Sequence, residues 1–325
     1  MRARCVDGAK ELGARPGTTL VVIGNFDGAH RGHQTVLASS VAEAERLGLA
    51  PTVLTFDPHP SEVVGATPAA VLTTLERKVE LICRADPRLT VVVEPFTREL
   101  SQKTPDEFAR ELLLGALGAR VVIVGQNFRF GHQRAGDLER LRELGRELGF
   151  EAHAQELSGD ELGPYSSTRV RAALAAGDLA MAEALLGRPH ALSGVVVRGD
   201  GRGRSIGVPT ANIGAVAEAL PPYGVYSCLV DRLAPDGARV LGAGVANIGV
   251  RPTVAAGFSV EVHLFDLDED LYGQKLRLHL VGRLRDEKRF SGLDELTAQI
   301  RRDIADARRQ TAVRSPSPDA APAWY

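Results

Sequence analysis

His30 and His33 lie close to two glycines, Gly28 and Gly32, in the stretch GNFDGAHRGH, which runs from Gly24 to His33. The stretch follows the apolar run TLVVI, so we expect it to leave a strand and enter a helix. At such an entry, free backbone N–H groups and the positive end of the helix dipole favour a phosphate. His30 and His33 would lie on one side, and Gly28 and Gly32 would let the backbone approach a ligand. These residue types predict polyphosphate binding and charge stabilisation during transfer at phosphorus.

The histidine pair also allows two simpler interpretations. It could be half of a metal site, although no third and fourth ligands are evident, or it could pack and cap without chemistry. The dinucleotide fingerprint G-x-G-x-x-G is absent after the first apolar run, and the sequence G-x-x-x-x-G-K-[ST] is absent throughout. A Rossmann redox protein and a Walker-type nucleotide-binding protein are therefore disfavoured.

Length and composition limit the classes of protein further. The chain has 325 residues, which predicts two domains, and its 39 Lys and Arg nearly balance its 41 Asp and Glu. Balanced charge gives no overall attraction to nucleic acid or to an anionic membrane. Cys5, Cys83 and Cys228 are far apart and odd in number, which is typical of reduced thiols. Because no membrane-span or signal-peptide pattern is present, we expect a cytoplasmic protein without nucleic-acid or membrane partners.

Residues 1–187 alternate short apolar runs with helical patterns. The runs TLVVIG, PTVLTF, LTVVVE and ARVVIVG are typical of strands buried on both faces, and residues 33–48, 105–117 and 137–149 are typical of helices. This alternation predicts a doubly wound α/β domain with a parallel sheet. Ligands bind beyond the carboxyl ends of such strands, so we expect the chemistry in GNFDGAHRGH, DPHP and GQNFRFG.

Residues 188–312 show a different pattern. Short strand-like stretches are separated by the turn sequences GDGRGR, PPYG and APDG, and a helical pattern returns only in LDELTAQIRRDIADARRQ. This pattern predicts a C-terminal antiparallel β-barrel domain with a terminal helix. Residues 313–325 are rich in Pro and Ala and are predicted to form a flexible tail.

The motifs together resemble a known family. GNFDGAHRGHQ resembles the G-x-F-D-G-x-H-x-G-H signature of the nucleotidyltransferase superfamily, in the form carried by prokaryotic bifunctional riboflavin kinase/FAD synthetases. TFDPHP, VVIVGQNFRFG and YSSTRVRAAL resemble later motifs of the same domain, in order. The second half resembles the riboflavin kinase module in GVVVRGDGRGRSIGVPTANI, PPYGVYSCLV, GVANIGVRPTV, VEVHLFDLDEDLYGQKLRL and LRDEKRF. The resemblance covers nearly the whole chain and is therefore more specific than one H-x-G-H.

This resemblance implies two reactions that use ATP and Mg²⁺. The C-terminal module would phosphorylate riboflavin to FMN, and the nucleotidyltransferase-like N-terminal domain (FMN adenylyltransferase) would convert FMN and ATP to FAD and pyrophosphate. One alternative is that only one module turns over while the other binds flavin or regulates. A flavin sensor or carrier without turnover is a second, and a nucleic-acid-binding barrel is a third, disfavoured by the balanced charge and few aromatic residues. The oligomeric state stays undetermined.

In the N-terminal domain the resemblance implies that His30 and His33 are catalytic. They would align the substrates and neutralise charge without a general base, because the FMN phosphate is largely dianionic at neutral pH. The implied ATP- and phosphate-binding residues are Gly24, Phe26, Asp27, Gly28, Gly32, Ser166, Ser167, Thr168 and Arg169. The implied flavin-binding residues are Asp57, His59 and Asn127. Asn127 stands where many relatives carry an acidic residue, DPHP could be only a rigid turn, and the serines and threonine could only cap a helix.

In the C-terminal module the resemblance implies that Glu261 is the base for the ribityl hydroxyl. Strand alternation in VEVHLFD makes Glu261 either an exposed carboxylate or an inward-facing base. Thr210 and Asn212 lie two residues apart and could share a Mg²⁺–phosphate group. The implied glycine-rich phosphate loop, which could also be a solvated turn, contains Gly199, Gly201, Arg202, Gly203 and Arg204. Arg251 and Arg285 are surface arginines or flavin contacts.

Overall fold

The computed structural model describes residues 4–65, 70–199, 203, 207–235, 237–249 and 257–314. The chain divides into two compact units. The first unit comprises Met1–Ala69 and Thr73–Ser166, and the second comprises Ala70–Leu72 and Ser167–Tyr325.

A six-stranded parallel sheet forms the centre of the first unit, which confirms the predicted α/β class. The strands are β1 (Arg4–Asp7), β2 (Thr19–Ile23), β3 (Ala50–Asp57), β4 (Thr90–Pro95), β5 (Ala119–Val124) and β6 (Glu151–Ala154). Their spatial order is β1-β4-β3-β2-β5-β6, and every pair is parallel. The chain moves from β2 through β3 to β4 on one side and then crosses to β5 and β6 on the other. The strand order thus reverses beside β2, where open α/β sheets form their ligand crevice.

Helices cover both faces of this sheet. They are α1 (Arg31–Leu47), α2 (Pro60–Val63), α3 (Leu75–Ala85), α4 (Arg98–Gln102), α5 (Pro105–Glu107), which continues as a π-helical segment (Phe108–Ala116), and α6 (Leu138–Leu148). Two short 3₁₀ turns (Ala9–Leu12 and His132–Arg134) and a small hairpin of β7 (Gly159–Asp160) and β8 (Gly163–Pro164) complete the unit. The three helices expected from the sequence are present, and α1 begins at Arg31 rather than at residue 33 because His30 caps it.

Successive residues of β2 enter two different hydrophobic clusters. Leu20 and Val22 belong to the cluster that contains side chains of α1 and α3. Val21 and Ile23 belong to the cluster that contains side chains of the π-helical segment and α6. A strand buried on both faces must be apolar at every position, which is why the sequence shows an unbroken apolar run.

A closed antiparallel barrel forms the centre of the second unit, as predicted. Its strands are β9 (Ala191–Val197), β10 (Ala211–Gly214), β11 (Gly224–Ala234), β12 (Gly237–Gly249), β13 (Ser259–Leu264) and β14 (Lys275–Asp286). They close in the order β10-β13-β12-β11-β14-β9. The predicted terminal helix is α9 (Leu293–Ala312). The short strand β10 was not expected as a separate element because four residues show no clear alternation.

Two helices precede the barrel and group with it. They are α7 (Ser167–Ala175) and α8 (Leu179–Leu186), and α8 contacts β14. The segment Ala70–Leu72 also belongs to this unit, because Arg171 Nε donates to the carbonyl oxygen of Ala70 at 2.7 Å. The sequence interpretation placed residues through 187 in the first domain, and the functional boundaries 1–187, 188–312 and 313–325 stay predictions. Most of the expected tail, residues 315–325, lies outside the described residues.

We predict that a fragment of residues 167–325 is more stable than one of residues 188–325. The shorter fragment lacks α8, whose buried side chains Leu185 and Leu186 each contribute roughly 1.5–3 kcal/mol when removed from water. Its melting temperature, followed by circular dichroism, should be lower by about 5 °C or more. Equal melting temperatures would show that the two helices do not stabilise the barrel.

Candidate functional site

The loop between β2 and α1 folds back on itself at the edge of the sheet. The amide of Gly24 donates to the carbonyl oxygen of Leu54 at 3.1 Å. The amide of Ala29 donates to the carbonyl oxygen of Phe26 at 2.9 Å. Phe26, Gly28 and Ala29 have φ angles of 51°, 79° and 38°. Left-handed backbone is unfavourable for residues with a side chain, so two of these three positions are strained. The side chains of Phe26 and Ala29 are nevertheless buried, which holds the loop in this shape.

The two histidines stack at the start of α1. The ring centroids of His30 and His33 are 3.7 Å apart, and the ring planes differ by 21°. His30 is the N-cap, and its Nδ1 accepts a 3.4 Å hydrogen bond from the backbone amide of His33. The ring of Phe26 lies 5.1 Å from that of His33. Both imidazoles therefore lie beside the positive end of the helix dipole.

The DPHP loop adjoins the histidine loop at the same sheet edge. His59 caps the short helix α2, and its Nε2 lies 2.9 Å from the amide nitrogen of Asn25. Asp57 is exposed at the end of β3. Because β3 pairs with β2 in parallel, the two motifs end side by side. Asn127, the third expected flavin contact, is exposed in the turn that follows β5, on the other side of β2.

Sequence reasoning missed Lys78, a residue of α3. Its Nζ donates to the carbonyl oxygen of Phe56 at 3.4 Å, next to the DPHP motif. Burial lowers the pKa of Lys78, while the carboxylates of Asp27 and Asp57 raise it. The ammonium group thus lies between the carboxyl ends of β2 and β3. The sequence carries no signal for this, since an isolated lysine in a helix usually faces water.

The YSSTR motif begins beside the histidine loop. A Cβ atom at Gly32 would lie 3.1 Å from the ring of His30 and 3.2 Å from the Cβ of Tyr165, so only glycine fits without displacement. Ser166 ends the first unit. The next three residues, Ser167, Thr168 and Arg169, form the first turn of α7, as the sequence indicated.

In the barrel, Glu261 lies in a row of polar residues across three strands. Asn212 of β10 and Asn247 of β12 are the register partners of Glu261 on either side. Side chains of directly opposed residues lie on the same face of a sheet. Thr210 donates its hydroxyl to Oε2 of Glu261 at 3.2 Å. The predicted base and both predicted metal ligands are therefore assembled, and Asn247 is an additional neighbour that sequence reasoning did not single out.

Burial along β13 shows which way Glu261 faces. Val260, Val262 and Leu264 are buried, whereas Glu261 and His263 are half-buried on the opposite face. Strand alternation was therefore interpreted correctly, but Glu261 does not project into the apolar core. Its side chain is half-buried and therefore partly accessible from outside the core.

Two glycines of the predicted phosphate loop, Gly199 and Gly203, lie against the predicted metal ligands. A Cβ at Gly199 would clash with the amide of Asn212, at 2.5 Å from its Cγ. A Cβ at Gly203 would lie 3.4 Å from Oγ1 of Thr210. The other members of the predicted loop, Gly201, Arg202 and Arg204, lie outside the described residues, as does Arg251.

A cavity of about 570 Å³ adjoins Thr210. Apolar side chains that line it include Val262, Leu264, Leu271 and Tyr272. Its volume is in the range of pockets that hold a small-molecule ligand. A ligand in this cavity would reach the polar row through Thr210.

Arg285 makes its main contacts with the terminal helix. Its guanidinium forms a bidentate pair with the buried carboxylate of Asp303 in α9, at 3.0 Å from Nε and 2.9 Å from the terminal nitrogen. It also lies 5.5 Å above the ring of Phe290. In this conformation Arg285 fastens α9 to β14, and its role as a flavin contact stays a prediction.

The described part of the chain contains neither a cluster of metal-binding side chains nor a membrane-spanning helix. Within those residues, no group of three or more His, Cys, Asp and Glu side chains is arranged to hold a metal ion. No helix there is long and apolar enough to cross a membrane. The candidate cation ligands, Thr210 and Asn212, supply neutral oxygens, which fit a Mg²⁺ that is held largely by substrate phosphates.

Two family models match different parts of the chain. The FAD synthetase family model matches residues 13–169, and the riboflavin kinase family model matches residues 186–311. A solved structure described as a macrolide-efflux protein from Streptococcus pneumoniae is 26% identical, with a TM-score of 0.76, over 94% of this chain and 98% of that one.

Curated relatives match across both halves. The bifunctional riboflavin kinase/FMN adenylyltransferase of Escherichia coli (strain K12) is 41% identical over 300 residues, which are 92% of this chain and 94% of the relative. The protein of the same name from Bacillus subtilis (strain 168) is 34% identical over 302 residues, 90% and 92% of the two chains. One unit carries the histidine loop where its strand order reverses, and the barrel of the other carries the polar row that contains Glu261. The chain belongs to the family of bifunctional riboflavin kinase/FMN adenylyltransferases.

Proposed function

We propose that this chain phosphorylates riboflavin to FMN with ATP and then transfers the adenylyl group of a second ATP to FMN, giving FAD and pyrophosphate. The observation that carries the proposal is the assembled polar row of Asn212, Glu261 and Thr210 in a chain that also stacks two histidines at a helix start. Each reaction has its own site in this proposal. Cys5, Cys83 and Cys228 are free thiols, which supports a reducing compartment such as the cytoplasm.

In the kinase step, the ribityl oxygen forms a bond to the γ-phosphorus of ATP, the bond from that phosphorus to ADP breaks, and Glu261 accepts the hydroxyl proton. A neutral hydroxyl is a poor nucleophile, so a carboxylate within reach of its proton increases the rate. The hydroxyl of Thr210 orients that carboxylate through its 3.2 Å hydrogen bond. Thr210 and Asn212 would hold the Mg²⁺, which supplies neutralisation of the phosphate charge when bound.

The surroundings of this row support binding of ATP. Gly199 and Gly203 have no Cβ and so lie directly against Asn212 and Thr210. We propose that the glycine-rich sequence to which they belong binds the phosphates of ATP through its amides. We place the nucleoside in the adjoining cavity of about 570 Å³, whose lining combines apolar side chains with the acidic residues Asp268, Glu269 and Asp270. Glu261, by contrast, faces away from the buried valines of its strand, toward the side from which riboflavin would enter.

In the adenylyl transfer step, an oxygen of the FMN phosphate forms a bond to the α-phosphorus of ATP, and the bond to pyrophosphate breaks. No proton has to be removed from the dianionic nucleophile. Nδ1 of His30 accepts a hydrogen bond from the amide of His33, so a neutral His30 carries its proton on Nε2. We propose that this Nε2–H donates a hydrogen bond to a phosphate oxygen. Together with His33 and the end of α1, it stabilises the charge that develops on the phosphates.

The remaining predicted contacts complete the proposal for this site. Ser166, Ser167, Thr168 and Arg169 would bind the phosphates of ATP, with the arginine forming charge-assisted hydrogen bonds. The flavin would lie along the neighbouring strand ends, near the residues Asp57, His59 and Asn127. Lys78 adds positive charge beside the carboxyl end of β3.

The proposed function is tested by incubating the purified chain with riboflavin, ATP and Mg²⁺ and separating the products by chromatography. Formation of FAD is expected. FMN alone would show that only the kinase module turns over, and binding without conversion would indicate a flavin carrier or sensor.

We predict that replacing His30 and His33 together by alanine lowers FAD formation from FMN by about 100-fold or more, since one lost charge-stabilising donor typically costs 10²–10³ in rate. Phosphorylation of riboflavin should stay within about twofold, because the barrel residues are unchanged. Both rates are measured on the same preparation. An equal loss of both activities in folded protein would remove the histidines from a specific role in adenylyl transfer.

We also predict that Glu261→Gln lowers riboflavin phosphorylation by about 100-fold, because an amide does not accept the hydroxyl proton. The variant keeps the size of the side chain and an oxygen for the Thr210 hydrogen bond. Adenylylation of supplied FMN serves as the internal control and should be unchanged. A normal kinase rate would mean that the base lies elsewhere or that the step needs none.

A further inference from the structure

The strained loop that carries the histidines is held by a residue 45 positions away. The amide of Gly28 donates to the hydroxyl of Thr73 at 3.1 Å. That hydroxyl lies 3.3 Å from Oδ1 of Asp27, and the backbone amide of Thr73 donates to the same oxygen at 3.1 Å. One threonine thus contacts two consecutive residues of the loop.

The direction of these bonds follows from the chemistry of the groups. A carboxylate only accepts and a backbone amide only donates, so the hydroxyl gives its proton to Asp27 and accepts from Gly28. Serine can make the same pair of bonds, whereas valine, which has the shape of threonine, can make neither.

Burial makes these contacts difficult for water to replace. Thr73 and Asp27 are 9% and 8% exposed. A buried amide or carboxylate that loses its partner is more costly than a hydrogen bond exchanged with solvent. The contacts also hold Gly28, at φ 79°, between Phe26 and Ala29, whose positive φ angles need support.

We propose that Thr73 is a positioning residue for adenylyl transfer, whose hydroxyl keeps the loop from Gly24 to His33 in the shape that binds ATP. This rests on the proposed function of the loop. The single O–H donor of Thr73 is used on Asp27 and one of its lone pairs accepts from Gly28, so the role assigned to it is to hold the loop rather than to donate to substrate. It precedes α3 and so ties the loop to that helix.

The neighbouring Thr74 provides a matched control. It is the N-cap of α3, where its hydroxyl accepts a 3.3 Å hydrogen bond from the amide of Arg77. Thr74→Val therefore removes one hydrogen bond of the same helix start and leaves the contacts to Asp27 and Gly28 in place. Thr73→Val and Thr73→Ser complete the set.

The test measures kcat and KM for ATP during FAD formation from FMN in the full chain, together with riboflavin phosphorylation and melting temperature. Thr73→Val should raise KM for ATP and reduce kcat/KM by about tenfold to 100-fold, since small displacements of binding groups have effects of this size. Thr73→Ser should retain activity within about threefold, and Thr74→Val should retain KM for ATP. Partial unfolding lowers the amount of active enzyme without raising KM, so the rise in KM separates positioning from stability.

An unchanged KM in Thr73→Val, or an equal rise in Thr74→Val, would overturn the proposal. Hydrogen–deuterium exchange of the segment 24–33 gives a readout that needs no turnover: exchange should be faster in Thr73→Val than in Thr74→Val. If the wild-type chain forms no FAD, the proposed function fails, and the exchange comparison still decides whether Thr73 holds the loop.

Discussion

Backbone hydrogen bonds between neighbouring strands set the distances between the chemical groups in both sites. In the first unit, the parallel pairing of β2 with β3 and β5 brings the ends of three strands to one edge, and with them the motifs GNFDG, DPHP and GQNF. In the barrel, antiparallel register places Asn212 and Asn247 on either side of Glu261. A shift of one residue in either sheet would turn these side chains to the other face.

Under the proposed function, the two sites would neutralise phosphate charge by different means. The first uses a helix N-terminus, two stacked imidazoles and a half-buried lysine, all of which the protein supplies. In the second, Thr210 lies beside a short barrel strand and Asn212 lies on it. Neutral ligands there suit a cation brought by the nucleotide. This difference agrees with the proposed nucleophiles, because the FMN phosphate is already anionic whereas the ribityl hydroxyl must lose a proton.

Stability and chemistry are linked most closely in the histidine loop. Its backbone contains two unfavourable φ angles, at Phe26 and Ala29, and the compensation comes from buried side chains and from hydrogen bonds to a distant segment. Such strain persists only where the surrounding structure fixes it. In the barrel the corresponding constraint is space: Gly199 lies so close to Asn212 that any side chain would displace the amide. Both constraints act before any substrate binds.

The sequence by itself determined the α/β and barrel classes, the order of the motifs and the residues at the end of β2. Doubly buried strands must be apolar at each position, and a helix entry after such a strand has a local signature. It did not predict Lys78, Thr73 or Asn247 as neighbours of the sites, nor that α7 and α8 group with the barrel. Only the tertiary structure decided these, because they depend on contacts between segments far apart in the chain, and helix packing and strand register leave no pattern in the local sequence.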